Sequence, residues 1–344
     1  MAHRRARPTS ANRALTGNAV HDQSGKGAEV HRVNILALMS LTQRPPTLDP
    51  LAVERWQRTA PGVSPWLHEE VARRMLDRLQ WIKLQPAVWA HWGAVRGGLQ
   101  AHAALLKHYA RAQCHVIETS EPRYTSAREA LVPPAWKRML RMLSGGGSAT
   151  RFDAPAPGSV NLLWANMALH EAADPIALLA AWHRLLAVDG FVMFSCLGPD
   201  TAREVRDLYE ALGWPPAGHQ LTDMHDWGDM LVQTGFAEPV MDMERITLTY
   251  ETPARLLQEL TELGRNFHPQ RFSALRGRQW KAKLEQLISD RLPRASDGRL
   301  SLTFEVIYGH ALKARPKIKV SALSAVSVED MRSMLQGQRG LSGL

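Results

Sequence analysis

Residues 160 to 200, VNLLWANMALHEAADPIALLAAWHRLLAVDGFVMFSCLGPD, constrain the fold more than any other stretch of the chain. An apolar run ends on small and polar residues, an amphipathic segment with its own start signal follows, and a second apolar run opens behind Gly190. Two apolar strands joined through a helix pair in parallel, and a parallel sheet must be covered on both faces. The fold class is therefore α/β. Ligands of such sheets sit beyond the carboxyl ends of the strands, which places Ala165, Asn166 and Met167 at one rim position and Cys196, Leu197 and Gly198 at another.

At 344 residues, 45% hydrophobic and 22% charged, the chain can bury a substantial core. The net charge of +9 suggests a nucleic-acid binder until it is located. Residues 1 to 44 hold seven basic residues against Asp22 and Glu29, and 313 to 344 hold six against Glu329 and Asp330. Of the 42 basic and 33 acidic residues, 29 of each sign remain between 45 and 312. The body is neutral and its ends are basic, and no helix-turn-helix, zinc or RNP signature accompanies them, so no nucleic-acid partner is expected. Cys114 and Cys196 both lie in apolar stretches, which excludes a disulfide framework and points to a reducing compartment, the cytoplasm. No apolar run approaches the roughly 18 residues that span a bilayer, and no membrane partner is expected.

Residues 1–49 are Ser, Asn, Gly, Arg and Pro rich and read as a disordered basic segment, 50–313 as the folded domain, and 314–344 as a basic tail. Met39 is an alternative start, since periodic structure begins soon after it. The N-terminal part of the domain, 51–82, reads as one or two helices, with Ser64 as N-cap, Pro65 at the first helical position and Leu67, Val71, Met75 and Leu79 on one face. Pro86 to His91 is a strand, Leu99 to Tyr109 a helix and Cys114 to Ile117 a strand followed by Glu118, a second βαβ unit. Ser126 to Leu143 reads as a helix broken at Pro133 and Pro134, and the glycine run between Ser144 and Ser148 as a turn. Without Gly-Lys-Ser/Thr that run is no P-loop. Helices follow over Thr201 to Leu212 and Asp223 to Thr234, the latter stopped by Gly235. Strands follow over Val240 to Tyr250 and Leu302 to Leu312, with a helical insertion over 253–291 between them.

The turn after the first strand reads His91, Trp92, Gly93, Ala94, Val95, Arg96, Gly97, Gly98, and Glu118 ends the next strand at the distance of a dinucleotide-type fingerprint. Glycines there let backbone approach a ligand, and an acid at that place takes ribose hydroxyls. From about Asp49 to Lys313 the chain resembles the malonyl-ACP O-methyltransferase family of biotin synthesis. WANMALHEAADP, WHRLLAVDGFVMFSCLGPDTAREVR, DMHDWGDMLVQTGFAEPVMDMERITLTY and LTFEVIYGHALK carry that resemblance, in order and spacing.

The resemblance implies a Rossmann-like class I methyltransferase fold, with a seven-stranded, mostly parallel sheet, an antiparallel last strand and helices on both faces. It implies S-adenosyl-L-methionine as cofactor, held by Gly93, Gly97, Gly98, Glu118 and Asn166. It also implies an acyl carrier protein bearing a malonyl group as partner, and methylation of the malonyl free carboxyl. That carboxylate is ionised at neutral pH and attacks without a general base, which accounts for the lack of a triad or metal motif. An Arg is expected to grip it, with Arg203, Arg206, Arg265 and Arg271 as candidates. Arg265, Arg271, Arg276 and Arg278 form a basic face suited to an acidic carrier.

The departures are specific. Against the family's Asp-x-Gly-x-Gly-x-Gly the chain has His91 in the acidic place and Val95 at the middle glycine, Asn161 opens the fourth strand where Asp is usual, and the stretch from Trp56 to Trp66 has no Tyr. His91 and Val95 put cofactor binding in question. A fold kept for binding or regulation is the alternative reading. Asp223, His225, Asp226 and Asp229 read as a helix cap with acidic first-turn residues rather than metal ligands, Trp164 as core or as a border of the cofactor, and Cys196 as a buried apolar residue.

Overall fold

The computed structural model describes residues 48–132 and 150–315. The early segment with Met39, the Pro133 and Pro134 break, the glycine run and the tail beyond 315 lie outside the described residues. Two helices lead in. Helix α1 (Pro50–Thr59) starts at Asp49, whose carboxylate accepts from the Leu51 and Ala52 amides at 3.0 and 3.3 Å. Helix α2 (Trp66–Leu79) buries Leu67, Val71, Met75 and Leu79 on one face, as their spacing predicts. Its start differs from the expectation. Pro65 takes the N-cap place without a side-chain bond, and Ser64 donates instead to the Arg96 carbonyl at 3.2 Å, an acceptor that only the tertiary fold supplies.

The strands are β1 (Val88–Trp92), β2 (Gln113–Ile117), β3 (Thr150–Arg151), β4 (Val160–Ala165), β5 (Leu186–Leu197), β6 (Phe236–Tyr250) and β7 (Leu300–Lys313). They form one seven-stranded sheet in the order β3-β2-β1-β4-β5-β7-β6. Every pairing is parallel except the two made by β7, so the expected antiparallel last strand is present. Between the strands run α3 (Ala94–Gly97), α4 (Leu99–His108), α5 (Glu121–Leu131), α6 (Pro175–Leu185), α7 (Arg203–Ala211) and α8 (Met224–Gln233), with α9 (Pro253–Leu263) and α10 (Arg278–Arg291) forming the insertion. Helix α5 begins five residues before the expected Ser126, with Ser120 as N-cap and Pro122 in its first turn.

The opening segment resolves as the expected strand, helix and strand, although β5 begins at Leu186, ahead of Gly190. Asp174 caps α6 by accepting from the Ala177 amide at 2.9 Å, Pro175 occupies its first turn, and β4 pairs in parallel with β5. Side chains of β4 alternate between two apolar clusters. Leu162 and Trp164 join Val71, Met75, Leu105 and Ile288 on one side, while Val160, Leu163 and Ala165 join Leu179, Trp182 and Leu231 on the other. Strand order reverses between β1 and β4, which opens a crevice at their carboxyl ends.

Candidate functional site

β1 gives way to a turn built on glycine conformations. Gly93 has φ +67° and Gly98 φ +115°, both in the region where a Cβ is strained. Gly97 is needed for space, since a Cβ there would stand 3.3 Å from the Asn166 carbonyl oxygen and 3.2 Å from His91 Nε2. Glu69 of α2 accepts from the Leu99 amide at 2.9 Å and so caps α4 from outside. The turn, helix α2 and the sheet are thus one assembly.

The two departures in the turn lie away from the cleft. The Val95 side chain is buried in the core, and its N–H donates to Glu118 Oε1 at 3.1 Å. His91 is fully buried and stacks on His102, with ring centroids 5.3 Å apart and the two Nδ1 atoms at 3.1 Å. Burial drives His91 well below the ordinary histidine range, helped by its neighbour, and lowers His102 to about 4. A neutral pair, one ring donating and one accepting, stands where the family motif has an acid.

Glu118 follows β2 directly. Its Oε2 is buried without a hydrogen-bond partner. Desolvation pushes the carboxyl up to about 7, against the pull of the Val95 amide, Arg123 and the Ala94 amide. Asn166, beyond β4, acts as a clamp. Its Nδ2 donates to the His68 carbonyl at 2.9 Å and the Gly97 carbonyl at 2.6 Å, while its Oδ1 accepts from Ser195 Oγ at 2.6 Å. It therefore joins α2, the turn and β5. Met167 next to it has φ 55°, a strained value held by its N–H bonding to Ser195.

A cleft of about 200 Å³ opens here, lined by Trp92, Gly93 and Arg96 from the turn, Thr119 and Arg123 after β2, Asn166 to Ala168 after β4, and Gln57 and Glu171 at its edge. Sequence reasoning reached Gly93 and Asn166 but missed Arg96, Arg123 and Glu171. Arg96 is 6% exposed, and its Nη2 donates to the carbonyls of Glu262 and Leu263 at 2.9 and 2.8 Å, at the end of α9. Its guanidinium lies 5.1 Å from the Trp56 ring, and its Nε and Nη1 have no partner. Burial lowers it to about 10. Glu171 accepts from Trp56 Nε1 at 3.0 Å and is raised by desolvation against the pull of Arg96 and Arg123. Arg96 stood in plain sight in the turn, but nothing local shows that a residue there faces the insertion.

The arginines expected to hold substrate are placed otherwise. Arg203 pairs with Asp200 at 3.3 Å and Arg271 with Asp49 at 2.7 Å, and Arg206 donates to the Pro199 carbonyl. Arg265 lies 4.7 Å from the Trp56 ring, beside the cleft without lining it. Arg276 is engaged by aromatic faces, 4.0 Å from Trp280 and 4.3 Å from Phe272. Asp223 caps α8, accepting from the His225 and Asp226 amides. Trp164 belongs to the core, and Cys196 is fully buried, with desolvation pushing its thiol far up. Asn161 stands at the start of β4 and accepts from the Ala87 and Val88 amides at 3.2 and 3.0 Å, a task that needs only an oxygen.

No protein-family model matches the chain. The chain is 36% identical over 272 residues to a malonyl-[acyl-carrier protein] O-methyltransferase of Gallionella capsiferriformans, covering 77% of this chain and 91% of that protein. It is 37% identical over 262 residues to the protein of the same name from Laribacter hongkongensis, covering 74% and 86%. A third, from Nitrosospira multiformis, is 32% identical over 267 residues, covering 74% and 85%. Among solved structures, the YcgJ protein of Bacillus subtilis overlaps 71% of this chain and 99% of its own, with a TM-score of 0.46 and 13% identity.

Proposed function

The chain belongs to the malonyl-[acyl-carrier protein] O-methyltransferase family, and from that premise we propose that it methylates the free carboxyl of a malonyl thioester borne by an acyl carrier protein, with S-adenosyl-L-methionine as methyl donor, in biotin precursor synthesis. The observation that carries the reading is the orphaned, buried Glu118 Oε2 at the cofactor rim, below a turn whose glycine conformations leave its backbone open to a ligand. These residues fit the cofactor. Glu118 offers an acceptor to the ribose hydroxyls, Gly93 presents backbone with nothing within 4 Å of where a Cβ would stand, Gly97 and Gly98 let the turn pack against Asn166 and α2, and Asn166 fixes the Gly97 carbonyl in place. Neither His91 nor Val95 lines the cleft.

When bound, the cofactor supplies an electrophilic sulfonium methyl, and the products are a methyl ester and S-adenosylhomocysteine. The chain's own residues have little covalent work to do. An ionised carboxylate needs no base, so the protein aligns the acceptor and excludes water. Trp56 of α1 and the end of α9, tied together through Arg96, supply the cover. Calorimetric titration with S-adenosylhomocysteine is expected to show binding, and malonyl-ACP to gain one methyl group in a discharge assay while malonyl-CoA reacts more slowly. No heat up to roughly millimolar ligand, or no methyl gain on malonyl-ACP, would overturn the reading.

A further inference from the structure

Arg96 and Arg123 bring two guanidinium groups to one cleft, and both leave buried N–H donors unused. Buried donors without partners cost free energy, and the cost is greater when they are charged. On Arg123 the two free atoms are Nε and Nη2, which share one edge of the guanidinium, the fork that takes a carboxylate through two parallel bonds. On Arg96 the free atoms are Nε and Nη1, while Nη2 is held by the carbonyls at the end of α9. Glu171 is the acid beside them, influenced by both arginines but hydrogen-bonded to Trp56. Glu118 also lies within reach of the Arg123 charge, but its Oε1 is taken by the Val95 amide, and neither acid hydrogen-bonds the free donors. A ligand carboxylate would satisfy them.

We propose that Arg96 and Arg123 form the receptor for the acceptor's free carboxylate, an inference that rests on the acceptor reading given above. Arg96 is held by the covering elements α1 and α9 and lines the cleft, whereas Glu118 follows β2 and does not line it. The Arg123 fork takes one bond to each carboxylate oxygen, and each oxygen keeps a further lone pair, so the held carboxylate can still attack the methyl group. The new ester has no charge, which removes the grip and releases product. The same charge rule admits the free acid and rejects the ester without a steric filter.

The test is calorimetry on the full chain saturated with S-adenosylhomocysteine, titrated with malonyl-pantetheine and with its methyl ester. The wild-type protein is expected to bind the acid at least about tenfold more tightly than the ester. Arg123→Gln and Arg96→Gln are each expected to abolish that preference while holding S-adenosylhomocysteine affinity within about threefold. Because Arg96 also holds the end of α9, thermal melts accompany its variant, and Arg123→Gln, which removes no hydrogen bond seen among the described residues, is the deciding one. A parallel fall in S-adenosylhomocysteine affinity would assign the arginines to the cofactor's carboxylate and overturn the proposal. An acid preference that persists in folded Arg123→Gln overturns it as well. Wild-type protein that binds S-adenosylhomocysteine but not the malonyl acid overturns the acceptor reading, and this subsite with it.

Discussion

Glu118 divides its work between its two oxygens. Oε1 is committed to the Val95 amide, and Oε2 is free for a ligand. Replacing it with Ala is expected to weaken S-adenosylhomocysteine binding by more than about 1 kcal/mol, read by calorimetry. Its carboxyl is pushed up to about 7, so acidification protonates the acceptor, and cofactor affinity is expected to fall as pH drops through that value. A pH series on Glu118→Gln, which has no such proton to gain, should be flat by comparison. Asn166 carries a different prediction. Asn166→Ala removes three buried bonds, from the His68 and Gly97 carbonyls and from the Ser195 hydroxyl, at a cost of about 3 kcal/mol in chemical denaturation. Of the residues the sequence offered for the cofactor, Gly93 and Asn166 line the cleft, each just beyond a strand whose end the apolar pattern marks, while Gly97, Gly98 and Glu118 do not line it. Arg96, Arg123 and Glu171 were not legible in the sequence, because what marks them is burial and missing partners, and both are tertiary facts.

The elements themselves were more legible than the site. Apolar runs located the βαβ core, and α6 lies between them as expected, its start set by the Asp174 cap. Two-residue β3 escaped because a strand that short has no period to read. Strand β6 starts four residues earlier than its alternation suggests, since register shifts between Ala237 and Val240, with Glu238 at φ 52°, break the pattern without ending the strand. A covering element is also tied to the sheet edge by charge. Arg74 and Arg78 of α2 pair with Glu244 and Asp242 of β6 at 2.8 and 2.6 Å. A tight inter-strand fit is found at Gly309 of β7, which pairs with Phe194 of β5 on one side and Met241 of β6 on the other. A Cβ there would stand 2.4 Å from the Phe194 ring, which is fully buried and has nowhere to move. Gly309→Ala is therefore expected to cost about 2 kcal/mol or more, measured as a lowered denaturation midpoint. Gly218→Ala is its control, since that glycine also lies outside the left-handed region and meets nothing within 4 Å, which leaves only the loss of backbone freedom.

Across the whole molecule, the neutral charge balance of residues 45 to 312 hides a strong dependence on protons. His68, His91, His102 and His170 are buried and His219 is half-buried. Desolvation lowers all five, to about 3 for His68, about 4 for His102 and His219, and well below the ordinary value for His91 and His170. The unfolded chain takes up these protons as pH falls through about 6.5, while the folded chain does not until about 4 or below, so acidification over that window favours unfolding. Glu118 and Glu171 oppose this. Their raised carboxyls are protonated in the fold while still ionised in the unfolded chain, so their contribution is largest at low pH and is lost as pH rises through their folded values. The buried histidines outnumber these two carboxyls, so stability is expected to fall from pH about 7 towards pH about 4.5. Denaturant midpoints across that range should therefore fall steadily towards the acid side. A flat or rising profile would mean that the histidines reach water and that the interior behind the turn is more open than its packing indicates.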